Sequence, residues 1–132
     1  MGAIANLTHE GQSYSDGLDS VVIRRRGATI IGGKTLDLSG FSDTKVRAGH
    51  IIIHQTATDT YKPLGVTEGA YQSLPAGHTY AGVLISSVTS RAPFGSVMYE
   101  GEVNDVASPV PLTDALKTAL RAALPGLYFM HD

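Results

Sequence analysis

Hydrophobic and polar residues alternate in short runs along most of the chain, and glycine, proline and small polar residues separate the runs. VVIRRRGATII begins at Val21, a second run spans His50 to Gln55, and TYAGVLISSVTS and FGSVMYEGEVN follow later. A period of two over a few residues is typical of β-strands. The pattern therefore predicts a β-rich domain in which the last two stretches pair as neighbours.

One segment near the C-terminus has helical periodicity instead. In PVPLTDALKTALRAALPG, leucine recurs at positions 112, 116, 120 and 124, which places these side chains on one face of a helix. Thr113 is suited to cap the start, and Pro125-Gly126 ends the segment. The short apolar run LYFM that follows is expected either to return as a terminal strand or to fill part of the core.

The first 20 residues are small and polar and show no sustained periodicity. We interpret residues 1–20 as an extended N-terminal arm and residues 21–132 as a single β-rich domain, because 132 residues suffice for one core but not for two. The predicted fold class is α+β, mainly β: a compact β-rich domain with one C-terminal helix and an extended arm.

The stretch ATIIGGKTLDLSG, starting at Ala28, satisfies a relaxed phosphate-binding loop motif. Such a loop has to follow a buried strand and open a helix, so that main-chain N–H groups surround the phosphates. Here the residues after Thr35 alternate as in a strand. Two β-prone runs flanking Gly32-Gly33 predict a tight hairpin instead, and no cofactor is expected.

Two histidines invite a metal-site interpretation, since His50 and His54 have the HxxxH spacing. The three isoleucines between them favour a strand. A strand would separate the two rings by about 13 Å, too far for both to bind one ion. No metal site is predicted.

Catalytic motifs are also missing from the sequence. There is no GxSxG elbow and no distinct serine, histidine and acid combination. Glu100 and Glu102 flank Gly101, and such a pair is more often a solvated face or an interface contact than an acid/base centre. We therefore predict that the chain is not an enzyme and has no small-molecule substrate.

Composition limits the partners further. A net charge of −2 and a pI near 6.2 give no overall field that would attract nucleic acid or an anionic membrane. No apolar run approaches the roughly 18 residues that span a bilayer. The first residues lack the basic and apolar regions of a secretory signal peptide, so export by the usual secretory route is not expected. Only 17% of the residues are charged, which is sparse cover for a small monomer. This composition fits either buried contact surface or simply a glycine-rich β protein, and it does not distinguish the two.

The only basic run is Arg24-Arg25-Arg26. On a regular strand at most two of the three side chains would point the same way. Arginines of this kind bind phosphates or an acidic protein surface. The sequence leaves a protein partner and nucleic acid both open at this point.

Three segments in a fixed order resemble a known family, the bacteriophage head decoration and head fibre proteins. They are RAGHIIIHQTATDTYKPLG, YAGVLISSVTSRAPFGSVMYEGEVN and LTDALKTALRAALPGLYF, with the matching elements at Ala48 to Leu64, Ala81 to Asn104 and Leu112 to Phe129. The resemblance covers roughly the last two thirds of the chain.

The resemblance implies a non-enzymatic structural virion protein. It would be made in the cytoplasm of a bacterial host, bind the major capsid protein on the outer capsid surface, and form a homotrimer. Its partners would include neither nucleic acid nor membrane. The hypothetical capsid-binding residues lie in the arm and the basic run: Asn6, Leu7, Tyr14, Arg24, Arg25 and Arg26.

Two alternatives belong to other functional classes. One is a carbohydrate-binding or host-surface-binding module displayed on a virion, which requires exposed aromatic side chains such as Tyr71, Tyr80 and Tyr99 to cluster. The other is a small nucleotide-binding protein that uses the segment at Ala28.

Overall fold

The computed structural model describes residues 19–131. Most of the predicted N-terminal arm, residues 1–18, therefore lies outside the described residues. Within the described part, β-strands dominate and the long helix lies near the C-terminus, which confirms the mainly β character predicted from the sequence.

The helices are α1 (Asp19–Val22) and α2 (Asp114–Ala123). The strands, in chain order, are β1 (Ile23–Arg26), β2 (Lys34–Thr35), β3 (Lys45–Val46), β4 (Ile51–Gln55), β5 (Thr60–Pro63), β6 (Val66–Thr67), β7 (Ala70–Tyr71), β8 (His78–Leu84), β9 (Val88–Thr89), β10 (Phe94–Gly95), β11 (Val97–Met98), β12 (Gly101–Asn104) and β13 (Leu127–Met130).

Two larger sheets organise the domain. One has four antiparallel strands in the order β11-β8-β4-β5. The other has three strands in the order β1-β12-β13, in which β12 pairs antiparallel with β1 and parallel with β13. Two-stranded pairs join β2 to β10, β3 to β9 and β6 to β7. The pairing of β8 with β11 confirms that the two late strand-rich stretches are neighbours.

Strand β4 is buried on both faces. The side chain of Ile52 belongs to one apolar cluster, with Leu84 and Val97, whereas Ile51 and Ile53 belong to another on the opposite face. This double burial explains why the strand appears in the sequence as a continuous apolar run instead of an alternating one.

Helix α2 forms as the leucine spacing predicts. Its N-cap is Thr113, whose Oγ1 accepts a hydrogen bond from the main-chain N–H of Leu116 at 3.2 Å. Leu120 is fully buried. Because β12 and β13 run parallel, α2 is the crossover that connects them, and the predicted terminal strand is confirmed as β13.

The hairpin predicted around Gly32-Gly33 is wrong. A tight turn does form, since Gly33 N–H donates to the carbonyl of Ile30 at 3.3 Å and Gly32 has φ of 83°. The flanking runs, however, pair with distant segments: β2 pairs with β10, and Thr29 bridges to Met98. The N–H of Leu36 donates to the carbonyl of Pro93 at 2.6 Å, so the second run is held against β10 while Leu36 enters the core.

The chain also differs from expectation at its first described residues. Asp19–Val22 forms one helical turn where we predicted extended arm for residues 19–20 and strand from residue 21. The turn directs the side chain of Val22 into the core, where it is 2% exposed. It packs there against Gly49, and a Cβ at Gly49 would collide with it.

Candidate functional site

The arginine run forms the edge strand of the three-stranded sheet. Of the predicted site residues, Arg24, Arg25 and Arg26 lie on β1 and all three are exposed. A register shift between Ile23 and Arg25 interrupts the regular alternation that would have separated them. Asn6, Leu7 and Tyr14 lie outside the described residues.

Arg25 contacts two carboxylates. Its Nη2 lies 3.2 Å from Oε1 of Glu100, and its Nε lies 3.4 Å from Oε2 of Glu102. The two glutamates therefore face one guanidinium on a partly exposed surface. Such exposed ion pairs contribute about 0 to 1 kcal/mol to stability. These two contacts therefore add little to the free energy of unfolding.

The two histidines of the HxxxH spacing have separate surroundings. His50 is buried, its Nε2 donates to the carbonyl of Leu64 at 2.9 Å, and its ring meets the edges of Phe41 and Tyr71. Burial lowers the pKa of His50 to about 4, so the ring is neutral at pH 7.

The other histidine, His54, lies toward the surface. Its Nε2 is 2.6 Å from Oδ1 of Asp59, and its ring lies 4.5 Å from that of Tyr61. Within residues 19–131, no three histidine, aspartate or glutamate side chains are grouped so that they would hold a metal ion.

A charged cluster lies where β12 ends. Asp105 accepts hydrogen bonds from Nζ of Lys117 at 3.0 Å and from Nδ1 of His131 at 2.8 Å. Burial acts to raise the pKa of Asp105, but the hydrogen bonds from His131 and Lys117 lower it overall. The same contact with Asp105 raises the pKa of Lys117. Asp105 thus links Lys117 of α2 to His131, which directly follows β13.

Two of the three tyrosines of the carbohydrate hypothesis come together. Tyr71 and Tyr80 line one groove of about 390 Å³ beside α2. The hydroxyl of Tyr71 accepts the N–H of Ile51 at 3.2 Å, and burial raises the pKa of Tyr71. Tyr99 does not line this groove. Its main-chain N–H donates to the carbonyl of Ala28 at 3.1 Å.

A second groove, of about 600 Å³, was not predicted from the sequence. Its lining combines residues of one face of α2 with Pro125 and with Phe129 of β13. Arg121 is one of these helix residues, with its guanidinium 5.3 Å from the centre of the Tyr128 ring. The only sequence signal for the groove is that LYFM carries no charge.

Two apolar side chains protrude near the turn at Gly32-Gly33. Ile31 is 96% exposed and Phe94, on the paired strand β10, is 58% exposed. The phenyl ring of Phe94 lies against Gly33.

The segment that begins at Ala28 leads into strand β2 and not into a helix. A phosphate-binding loop has to open a helix, so this segment lacks the structural context that such a loop requires.

Comparison of the chain with models of protein families, with curated proteins and with solved structures finds no match. Neither helix in the described part of the chain has the length and apolar character needed to cross a membrane.

Proposed function

We propose that this chain is a capsid decoration or head-fibre protein. In this role it is a structural virion protein that forms a homotrimer, binds the major capsid protein on the outer surface of a phage capsid, and stabilises or decorates the shell. It acts through contacts and carries out no chemistry.

One observation supports the proposal most strongly. The three segments that carry the family resemblance pack against each other in pairs, so that each pair shares an apolar cluster. Ile52 meets Leu84 in the first cluster, Val103 meets Leu127 in the second, and Ile53 meets Leu120 in the third. The three segments therefore pack into one folded unit and are not three unrelated stretches.

Shell binding is assigned to residues 1–20 and the arginine strand. All three arginines of β1 are exposed, so their guanidinium groups are placed to contact an acidic shell surface. Each copy that binds across neighbouring shell subunits adds its binding free energy to shell cohesion by mass action. Many copies compensate for a modest affinity at each site.

The test is co-sedimentation of the purified protein with capsids that lack it. Deletion of residues 1–18 should abolish attachment, while circular dichroism and light scattering show that the truncated chain remains folded and trimeric. Replacing Arg24 and Arg26 by glutamate should weaken attachment, and a Lys62→Glu control should not. Unchanged attachment after the deletion would refute the assignment.

Trimer formation has its own test. Light scattering across a dilution series should give a mass near three times the 13.9 kDa of the chain. A monomer throughout the series would contradict the proposed assembly.

A virion-displayed carbohydrate-binding module is the second candidate. The shared groove of Tyr71 and Tyr80 favours it, because aromatic faces flanked by polar groups are typical of small-ligand sites. Saturable binding on a glycan array that is lost in Tyr80→Ala would support this candidate. Absence of binding together with capsid attachment would reject it.

A further inference from the structure

Among residues 19–131, β13 is an edge strand of the three-stranded sheet, with β12 as its neighbour on one side. Gly101 N–H donates to the carbonyl of Gly126 at 3.1 Å, and the two strands are parallel. In a parallel ladder alternate residues bond to the neighbour, so Tyr128 and Met130 bond toward β12. The N–H and C=O of Phe129 consequently point away from the sheet. Within residues 19–131, no strand lies beyond β13.

The two edges of this sheet differ in charge. The β1 edge carries three arginines, whereas β13 consists of Leu-Tyr-Phe-Met. Charged side chains on an edge strand prevent unwanted pairing with another chain, and an uncharged edge allows it. Strand β13 is therefore the edge of this sheet that is suited to accept another strand.

A groove lies beside β13, lined by residues of α2, Pro125 and Phe129. Its wall on one side is the helix face and on the other side Phe129, with the lining Asp114, Lys117, Thr118, Arg121, Ala122, Pro125 and Phe129. The helix residues are spaced by three or four positions, so they form one continuous face that follows the strand. A volume of about 600 Å³ accommodates several extended residues with their side chains.

The charges in the groove indicate what it binds. Lys117 is matched by Asp105 at 3.0 Å and by Asp114 at 3.6 Å. The guanidinium of Arg121, in contrast, lies over the ring of Tyr128, and no carboxylate within residues 19–131 forms an ion pair with it. An acidic side chain on the incoming segment would supply the missing negative charge.

We propose that this groove binds an extended segment of a partner protein, which adds as a fourth strand to β13 and places an acidic side chain against Arg121. That the partner is the major capsid protein rests on the proposed function. A second copy of this chain fits the edge less well. Pairing β13 with itself brings the two Arg121 side chains together, and such two-fold pairing does not close a three-fold ring.

The first experiment measures binding of a synthetic peptide to the full chain by fluorescence anisotropy. The peptide has seven residues, with valine and threonine alternating on both sides of one central glutamate. It should bind saturably, a lysine counterpart should bind about tenfold more weakly, and a version N-methylated on alternate amides should not bind. Equal binding of the N-methylated and unmodified peptides, or no saturable binding of the glutamate peptide, would overturn the proposal.

Two variants assign the binding to this groove. Arg121→Glu should reverse the preference between the glutamate and lysine peptides, and Lys62→Glu, a charge reversal on the other sheet, should leave it unchanged. An unchanged preference in Arg121→Glu would overturn the proposal. Displacement of the labelled peptide by an unlabelled peptide of residues 1–18 would also overturn it, because the chain's own N-terminal segment would then be the occupant.

Capsid co-sedimentation separates this inference from the proposed function. If the unmodified chain attaches to capsids but does not bind the glutamate peptide, the groove proposal fails and the decoration role stands. If it binds the peptide but not capsids, the decoration role fails and the groove stands. Attachment that is unchanged in Arg121→Glu would overturn the capsid protein as the partner.

Discussion

Acid should destabilise the fold through one buried histidine, His50. Its side chain is enclosed by Phe41 and Tyr71 and is 3% exposed. Burial lowers its pKa from 6.5 to about 4. The unfolded chain therefore takes up a proton at a higher pH than the folded chain does, and the folded state loses stability as the pH falls from 6.5 to about 4.

The size of the effect follows from the two pKa values. At 1.36 kcal/mol per pH unit, the interval between 6.5 and about 4 corresponds to a loss of about 3 kcal/mol in the free energy of unfolding. Above pH 6.5 His50 causes no loss of stability, and below about pH 4 it causes no further loss. The carboxylates with lowered pKa values, Asp37 and Asp105, lose their contributions at lower pH, below the 3.8 of an ordinary aspartate.

Urea denaturation at several pH values and one fixed protein concentration measures this directly. His50→Gln keeps a donor for the Leu64 carbonyl but does not titrate, so its stability should change much less between pH 6.5 and 4 than that of the unmodified chain. His54→Gln, which replaces a partly exposed histidine, should lose as much stability between pH 6.5 and 4 as the unmodified chain does. Equal pH dependence of His50→Gln and the unmodified chain would refute the reasoning.

Three further predictions concern the fold. Leu120→Ala should lower the free energy of unfolding by about 2 to 5 kcal/mol because Leu120 is fully buried, whereas Thr118→Ala on the exposed side should cost far less; equal melting temperatures would contradict the packing of α2. Thr113→Ala should cost about 1 kcal/mol and Thr113→Ser should restore most of it, as measured by urea denaturation. Gly82→Ala should impair folding, as judged by circular dichroism, because Gly82 has φ of 153° and an added Cβ would collide with the carbonyl of Met98.

Elements that depend on nearby residues were predictable from the sequence. Helix α2 follows from leucine spacing and from Thr113 and Pro125, which all act within a few residues. Strand β4 follows from its β-branched run. Local signals of this kind determine element type well, and these two elements formed as predicted.

Pairing between distant segments was not predictable in the same way. Lys34 and Thr35 pair with Gly95 and Phe94, about sixty positions away, and no local pattern encodes that choice. The turn at Gly32 has the signature of a hairpin, but burial of Leu36 and its bond to Pro93 direct the chain elsewhere. Tertiary contacts thus overrode a valid turn signal.

The candidate sites likewise combine features that the local sequence predicts with features that depend on distant segments. The arginine run was visible in the sequence, but its ion pairs with Glu100 and Glu102 arise only because β1 pairs with β12. The groove at β13 needs both the parallel crossover and the position of Arg121. Neither feature is a property of any short motif. The one hint in the sequence was that the segment LYFM contains no charged residue.

The three-stranded sheet connects the two proposed contacts of this protein. One edge, β1, carries the arginines and continues from the N-terminal segment, and the other edge, β13, is open beside α2. Only β12 separates them, so the edges lie about 10 Å apart at a strand spacing of about 4.8 Å. Under the proposed function, a sheet of this width places two contacts on opposite sides of one copy, of which the N-terminal one is required for attachment. Two such contacts let a single copy join neighbouring shell subunits, which a protein binding through its arm alone would not do.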